Sequence, residues 1–184
     1  MGNTDVKIIK LNRADFPDGK TVVPGYSTDK YYDLAMSEES NGWEIKFDLK
    51  YFDKIFTKSM PVEIFEDYKL EQECYIAEVN GTESGIISFS LQDWNNTLRI
   101  WDMYIYKEDM KRKGIGTELM NIAKKRAGEI NARAIVLETQ TSNYNAIEFY
   151  KKNGFELIGF DKLAYTNKDV ERGEVRIEMG FVVD

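Results

Sequence analysis

Apolar and polar positions change their spacing several times along the chain, and each change marks a candidate element. Residues 5–11 (DVKIIKL) alternate at period two, the pattern of a short half-buried strand, and residues 12–28, rich in Asp, Gly and Pro, read as a loop. Over residues 28–58, Trp43, Phe47, Tyr51 and Ile55 recur at steps of four, which predicts two helices broken at Asn41-Gly42. Residues 61–73 show no settled period, with Val62, Ile64, Phe65 and Leu70 as their apolar members. Residues 74–79, an Asn80-Gly81 hairpin signal, residues 84–94, a turn at Asn95-Asn96 and residues 98–106 predict a three-stranded antiparallel meander. Ile115, Leu119, Ile122, Ala123, Ala127 and Ile130 then fall on one stripe of a helix. Residues 134–139 (AIVLET) form the short apolar run of a buried strand, and residues 143–153 a second helix that Gly154 stops. Residues 155–166 and 175–183 are β-rich. The helix between residues 106 and 134 is a crossover, so the strands it joins are expected to lie parallel or to flank a junction in a mixed α/β sheet.

Composition sharpens the picture. A chain of 184 residues with 42% apolar and 31% charged positions is expected to form one domain over residues 1–184, large enough for a core. Its net charge is −7, it has no histidine, and Cys74 is its single cysteine. Ser-His-Asp and Cys-His catalysis, zinc sites built from His or paired Cys, and an intramolecular disulfide are therefore excluded, and no metal is expected. The acidic total argues against a nucleic-acid partner. With no charged-then-apolar leader and no run near 18 apolar residues, no membrane partner is expected and the chain is expected to stay in the cytoplasm; an unpaired cysteine agrees with a reducing setting.

The most informative stretch is Lys111-Arg112-Lys113-Gly114-Ile115-Gly116-Thr117, between a strand and the amphipathic helix. Glycines that admit a close ligand, a helix N-terminus and three cations make an anion cradle; the alternative is a basic loop that needs glycine for its turn. The spacing fits neither a P-loop nor a dinucleotide fingerprint, which needs a third glycine where Leu119 stands. Residues 107–133 hold eight bases and four acids, a local +4 suited to a polyphosphate. Residues 61–73, with five acids and one lysine, are locally −4: either a solvated linker or one wall of a cation site.

The run YIYKEDMKRKGIG at residues 104–116, the helix, LETQ at 137–140, NYNA at 143–146 and FYKKNGF at 149–155 together resemble the GNAT superfamily of acetyl-CoA-dependent N-acetyltransferases. Within it, LETQ with the two segments that follow most resembles the streptothricin acetyltransferases. The resemblance is firm over residues 98–165 and plausible from 74, giving a cofactor-binding core at 74–166 and an acceptor-side region at 1–70. It implies a GNAT-type α/β domain, with an antiparallel meander, then parallel strands splayed at a bulge, and flanking helices.

It also implies roles. Lys111, Gly114 and Gly116 fall on the family's anion loop, so the amides of Arg112, Lys113, Gly114, Ile115, Gly116 and Thr117 are expected to hold the CoA pyrophosphate. Lysine at 111 departs from the usual Arg or Gln, and a point charge cannot reproduce a guanidinium fork, so its side chain is expected to add little. The splayed strand at Tyr104, Ile105 and Tyr106 is expected to pair with pantetheine and to stabilise an oxyanion. Asn143 matches a pantetheine contact, or is a helix cap. Tyr150 matches the tyrosine that protonates the leaving thiolate, or is a core residue beside Ala146 and Phe149, which line the same helix face. With no histidine, the candidates for removing the amine proton are Glu138 and Asp102; Glu138 in an ion pair and Asp102 pointing to solvent are the alternatives. Cys74, outside the motifs, has no expected chemical role. The implied activity is direct acetyl transfer to a primary amine of a small cationic acceptor, with streptothricin as the specific candidate and antibiotic resistance as the consequence. A protein or polyamine acetyltransferase and an inactive acyl-CoA sensor are the alternatives.

Overall fold

The computed structural model describes residues 6–69 and 71–183, so Asp5 and Leu70, counted above in a strand and among the apolar positions, lie outside the described residues. In chain order the elements are β1 (Val6–Leu11), β2 (Lys20–Val22), β3 (Gly25–Glu39), β4 (Gly42–Ser59), β5 (Val62–Ile64), β6 (Glu73–Val79), β7 (Thr82–Gln92) and β8 (Thr97–Ile105). Then follow α1 (Ile115–Glu129), β9 (Ala134–Gln140), α2 (Tyr144–Lys152), β10 (Glu156–Asp161) and β11 (Arg176–Val182). Seven strands hydrogen-bond in the order β1-β6-β7-β8-β9-β11-β10, while β2-β5 and β3-β4 form two-stranded sheets. The pairs β1·β6, β6·β7, β7·β8 and β10·β11 are antiparallel and β8·β9 is parallel, so the expected mixed α/β sheet is present.

The chain divides into two compact units: one built from the chain up to Gly25, Ser59–Leu137 and Phe181 onward, the other from Tyr26–Lys58 and Glu138–Gly180. In the first, Ile86, Ile87 and Phe89 of β7 are wholly buried, because both faces of the strand are covered. The buried stripe Ile115, Leu119, Met120, Ala123 and Ala127 belongs to α1. On another side, Ile86 joins Val22, Ile64, Phe65, Cys74 and Ile76, with Tyr104 and Tyr106 packed against them. Gly85 lets β8 and α1 close over β7: a Cβ there would lie 2.8 Å from Ile105 Cδ1 and 2.9 Å from the Tyr104 carbonyl of β8, and 3.3 Å from Leu119 Cδ1 of α1. α1 ends as Asn131 turns left-handed (φ 52°) and the Ala132 N–H reaches back to the Ala127 carbonyl.

In the second unit the two expected helices over 28–58 are instead the β3–β4 hairpin, turned at Ser40-Asn41. A step of four is also two strand repeats, so Trp43, Phe47, Tyr51 and Ile55 share a face of an extended strand as readily as of a helix. Asn-Gly beside aromatic and β-branched residues favours the hairpin. Tyr31 stacks on Phe52 at 4.4 Å between centroids, Phe52 on Phe56 at 5.0 Å, and Lys50 pairs with Asp33 across the strands. α2 stops at Gly154 (φ 84°), as expected, with the Phe155 N–H on the Tyr150 carbonyl.

Candidate active site

In the first unit, Arg112 (φ 61°) and Gly114 (φ 86°) are both left-handed and curl the loop that leads into α1, the geometry from which nests of N–H groups are built. The first bond of the helix runs from Glu118 N–H to the Gly114 carbonyl at 3.0 Å. The N–H groups of Ile115, Gly116 and Thr117 therefore lack an intrahelical acceptor, at the positive end of a 15-residue helix. Lys111 is engaged by Glu108 at 2.7 Å, while Arg112 and Lys113 are exposed.

The strand before this loop is open along one edge. Among the described residues β8 pairs with β9 only at Thr97–Ala134, Leu98–Ile135 and Arg99–Val136, yet it continues to Ile105. On its other side Tyr106 N–H bonds the Ser84 carbonyl at 3.0 Å and the register continues through Tyr104–Ile86. Antiparallel pairing alternates, so the N–H and C=O of Met103 and Ile105 point away from β7, where β9 has already parted. The expected bulge is displaced: the register shift lies between Ile100 and Asp102, with Trp101 as the extra residue, and not at Tyr104–Tyr106. Trp101 is held by its Nε1–H on Ser90 Oγ at 2.9 Å and by the Arg99 guanidinium over its ring at 4.8 Å. Tyr104 and Tyr106 turn their side chains into the core, so only backbone at this point can serve a ligand; Tyr106 Oη donates to Glu83.

Asp102 does not point to solvent. Its side chain is 2% exposed and its Oδ2 accepts from Lys69 Nζ at 3.0 Å, from Gln72 Nε2 at 3.3 Å and from Ser88 Oγ. Burial pushes the carboxyl up from its ordinary value, against the pull of Ser88 and Lys69. Lys69 Nζ also reaches Glu66 at 3.0 Å and the Glu63 carbonyl at 3.3 Å, so residues 63–69 are strapped to the sheet. Lys69 escaped the sequence reading because its partner is 33 residues away; a lysine set among five acids was the only signal. Cys74 is fully buried and burial raises its thiol to about 12, which leaves it inert.

In the second unit, Tyr150 is buried on α2, with Phe149 at 5.6 Å and Phe155 at 6.0 Å between ring centroids. Burial alone raises its phenol to about 12, so it holds its proton at neutral pH. Ala146 and Phe149 are half-buried beside it. Asn143 stands at the N-terminus of α2, but its side chain makes no capping bond; its backbone carbonyl accepts from Ala146 and Ile147. Glu138 is on the exposed side of β9, with Arg176 Nη1 at 3.9 Å; Arg176 Nη2 lies 3.5 Å from Asp161. A cavity of about 540 Å³ is lined by two acids, Asp161 and Glu178, two bases, Lys162 and Arg176, and the apolar Met36, Phe160 and Leu163. Trp94 is 84% exposed, and Tyr144 meets Tyr32 and the Lys30 ammonium.

Among the described residues no helix is long and apolar enough to cross a membrane. Streptothricin acetyltransferase A of Bacillus subtilis strain 168 is 30% identical to this chain over 167 residues, covering 88% of this chain and 90% of that protein. Among solved structures, a protein assigned as a streptothricin acetyltransferase from Bacillus anthracis strain Ames, in complex with acetyl coenzyme A, matches 100% of both chains with a TM-score of 0.75 and 25% identity. Nourseothricin acetyltransferase shares the fold, with a TM-score of 0.74 and 22% identity over 97% of this chain and 99% of that one. The acetyltransferase (GNAT) family model matches residues 29–155, which takes in the loop before α1, the parted strand and α2. This chain belongs to the GNAT acetyltransferase family and is an N-acetyltransferase.

Proposed function

We propose that the chain moves acetyl from acetyl-CoA directly to a primary amine of a small cationic molecule, with a streptothricin-type antibiotic as the leading acceptor and the cytoplasm as its setting. The observation that carries this reading is 30% identity over 167 residues to a streptothricin acetyltransferase.

The residues fit the cosubstrate. Amides without intrahelical acceptors at Ile115, Gly116 and Thr117, beside Arg112 and Lys113, suit a pyrophosphate, and the free edge at Met103 and Ile105 suits the amides of a pantetheine arm. When bound, acetyl-CoA supplies an activated thioester. An outward N–H of the parted strand then stabilises the oxyanion that develops on the carbonyl, and Asn143 positions the arm. The amine nitrogen bonds to the acyl carbon, the carbon–sulfur bond breaks, and Tyr150 gives its proton to the departing thiolate. A phenol that is fully protonated at neutral pH suits that step.

A lysine-like amine with a pKa of about 10.4 is free base in only about one molecule in 10³ at pH 7. Glu138, exposed on β9 with Arg176 Nη1 at 3.9 Å, is the carboxylate assigned to hold such an ammonium and, through a water, to take its proton. Asp102 is less suited, being already committed to Lys69, Ser88 and Gln72. A thiol-release assay over a panel of amines tests the reading. Preference for streptothricin supports it. Release only with peptide N-termini or polyamines moves the acceptor class, and acetyl-CoA binding without release for any amine makes the chain a sensor.

A further inference from the structure

β4 carries a pattern to which no step proposed above assigns a role. It is 18 residues long and its single strand neighbour is β3, so among the described residues its outer edge is bare. From Trp43 to Tyr51 the sequence is WEIKFDLKY, apolar at each odd position and charged at each even one. That is the code of a strand with one buried face. Yet Trp43 is 68% exposed, Ile45 47%, Leu49 44% and Tyr51 64%; Phe160 partly covers Phe47 at 5.6 Å between centroids, and the Lys30 ammonium lies 5.6 Å from the Tyr51 ring. A long bare edge with an alternating apolar face is a template for another strand.

We propose that the occupant is a second copy of this chain, its β4 antiparallel to the first about a two-fold axis at Phe47. The segment is complementary to itself reversed. With Phe47 on the axis, Trp43 faces Tyr51, Ile45 faces Leu49, Glu44 faces Lys50 and Lys46 faces Asp48, each pair occurring twice. The neighbouring registers that keep the faces together fail on charge. Centring on Lys46 opposes it to its own copy and sets Glu44 against Asp48; centring on Asp48 does the same to Asp48 and sets Lys46 against Lys50. A shift by a single residue turns the apolar face over. The strand contains no proline to block the edge. Lys46 and Asp48 now pair with one another within the strand at 3.0 Å with side chains 62% and 46% exposed, so both are open to exchange that contact for one across the axis.

Sedimentation equilibrium of the full chain from 1 to 100 µM, as chosen probe concentrations, tests this together with two exposed charge reversals. The wild type sediments at twice 21.4 kDa. Lys46→Glu and Asp48→Lys each place like charges across the axis twice and weaken self-association at least tenfold. Mixed one to one, the two variants restore the dimer as a heterodimer, because each pair is again opposite in sign. A wild type that stays monomeric overturns the proposal, as does a dimer that neither reversal weakens or that mixing fails to rescue. A monomer whose Trp43→Ser variant loses amine acetylation assigns the stripe to the acceptor and overturns it too.

Discussion

Replacing Lys69 with methionine removes one charge of a buried pair and strands the other. The two side chains are 4% and 2% exposed and lie 3.0 Å apart, so the gross attraction lost is about 5.5 kcal/mol at an effective dielectric near 20. Part is offset because the lysine no longer has to be desolvated, and breaking such a pair from one side costs about 3–5 kcal/mol. The loss depends on pH, and its sign follows from Asp102. Its carboxyl is already raised above 3.8 by burial, and removal of the ammonium raises it further. A buried carboxyl with a raised pKa takes up a proton on folding, so the penalty is full at neutral pH and shrinks as pH falls through the folded pKa. At alkaline pH the wild type behaves differently: Lys69 is raised above 10.5 despite burial, by Asp102 and Glu66. Its stabilisation is whole below that value and lost as pH rises through the folded pKa; the variant lacks this limb. Urea unfolding followed by tryptophan fluorescence, at pH 7.5 and at pH 5, measures the loss and its acid-side dependence. A loss below about 1 kcal/mol at pH 7.5, the value of an exposed pair, or a loss that does not shrink at pH 5, refutes the reasoning. Lys69→Met with Asp102→Leu is expected to recover most of the stability.

Tyr150→Phe is expected to lower kcat by about 10² or more while KM for acetyl-CoA holds within about twofold; unchanged turnover rejects Tyr150 as the acid. Because burial holds this phenol at about 12, the wild-type kcat profile has no falling basic limb from Tyr150 in an assay range of about pH 6 to 10. Glu138→Gln is expected to lower kcat/KM for the amine by about 10² without changing KM for acetyl-CoA, whereas a rise in amine KM at constant kcat reduces Glu138 to a binding group. Gly85→Ala drives a Cβ into Ile105, the Tyr104 carbonyl and Leu119, at an expected cost of about 1–3 kcal/mol read as a lower Tm. A Tm within about 1 °C of wild type contradicts the close packing of β8 and α1 around Gly85.

What could be read from the chain alone was what is locally encoded. α1 and α2 follow from stripes at helical spacing and from a glycine stop, and the left-handed Gly114 that bends the cradle is a requirement the residue itself announces. The β3–β4 hairpin differs from the expected helices because steps of four satisfy both periods; Phe52 and Phe56, also four apart, fit either, and their 5.0 Å stacking is a product of the strand. The bulge at Trp101 rather than at Tyr104 is set by how β7 and β8 pair, and the burial of Asp102 by a loop that crosses to it; no short window contains either cause. For the proposed site, motifs name the cradle and Tyr150, and the absence of histidine leaves Glu138 and Asp102 as the carboxylate candidates. The outward backbone of Met103 needed the register, and the occupancy of Asp102 by Lys69 needed tertiary contact.

The most direct test of the central claim is thiol release from acetyl-CoA by the purified full chain with streptothricin, with simple amines and N-terminal peptides as competitors. Release that follows streptothricin with a kcat/KM at least tenfold above the other amines, and an acetylated amine in the product mass, is the result expected. Acetyl-CoA that stays intact with streptothricin present, or turnover confined to peptides, contradicts it.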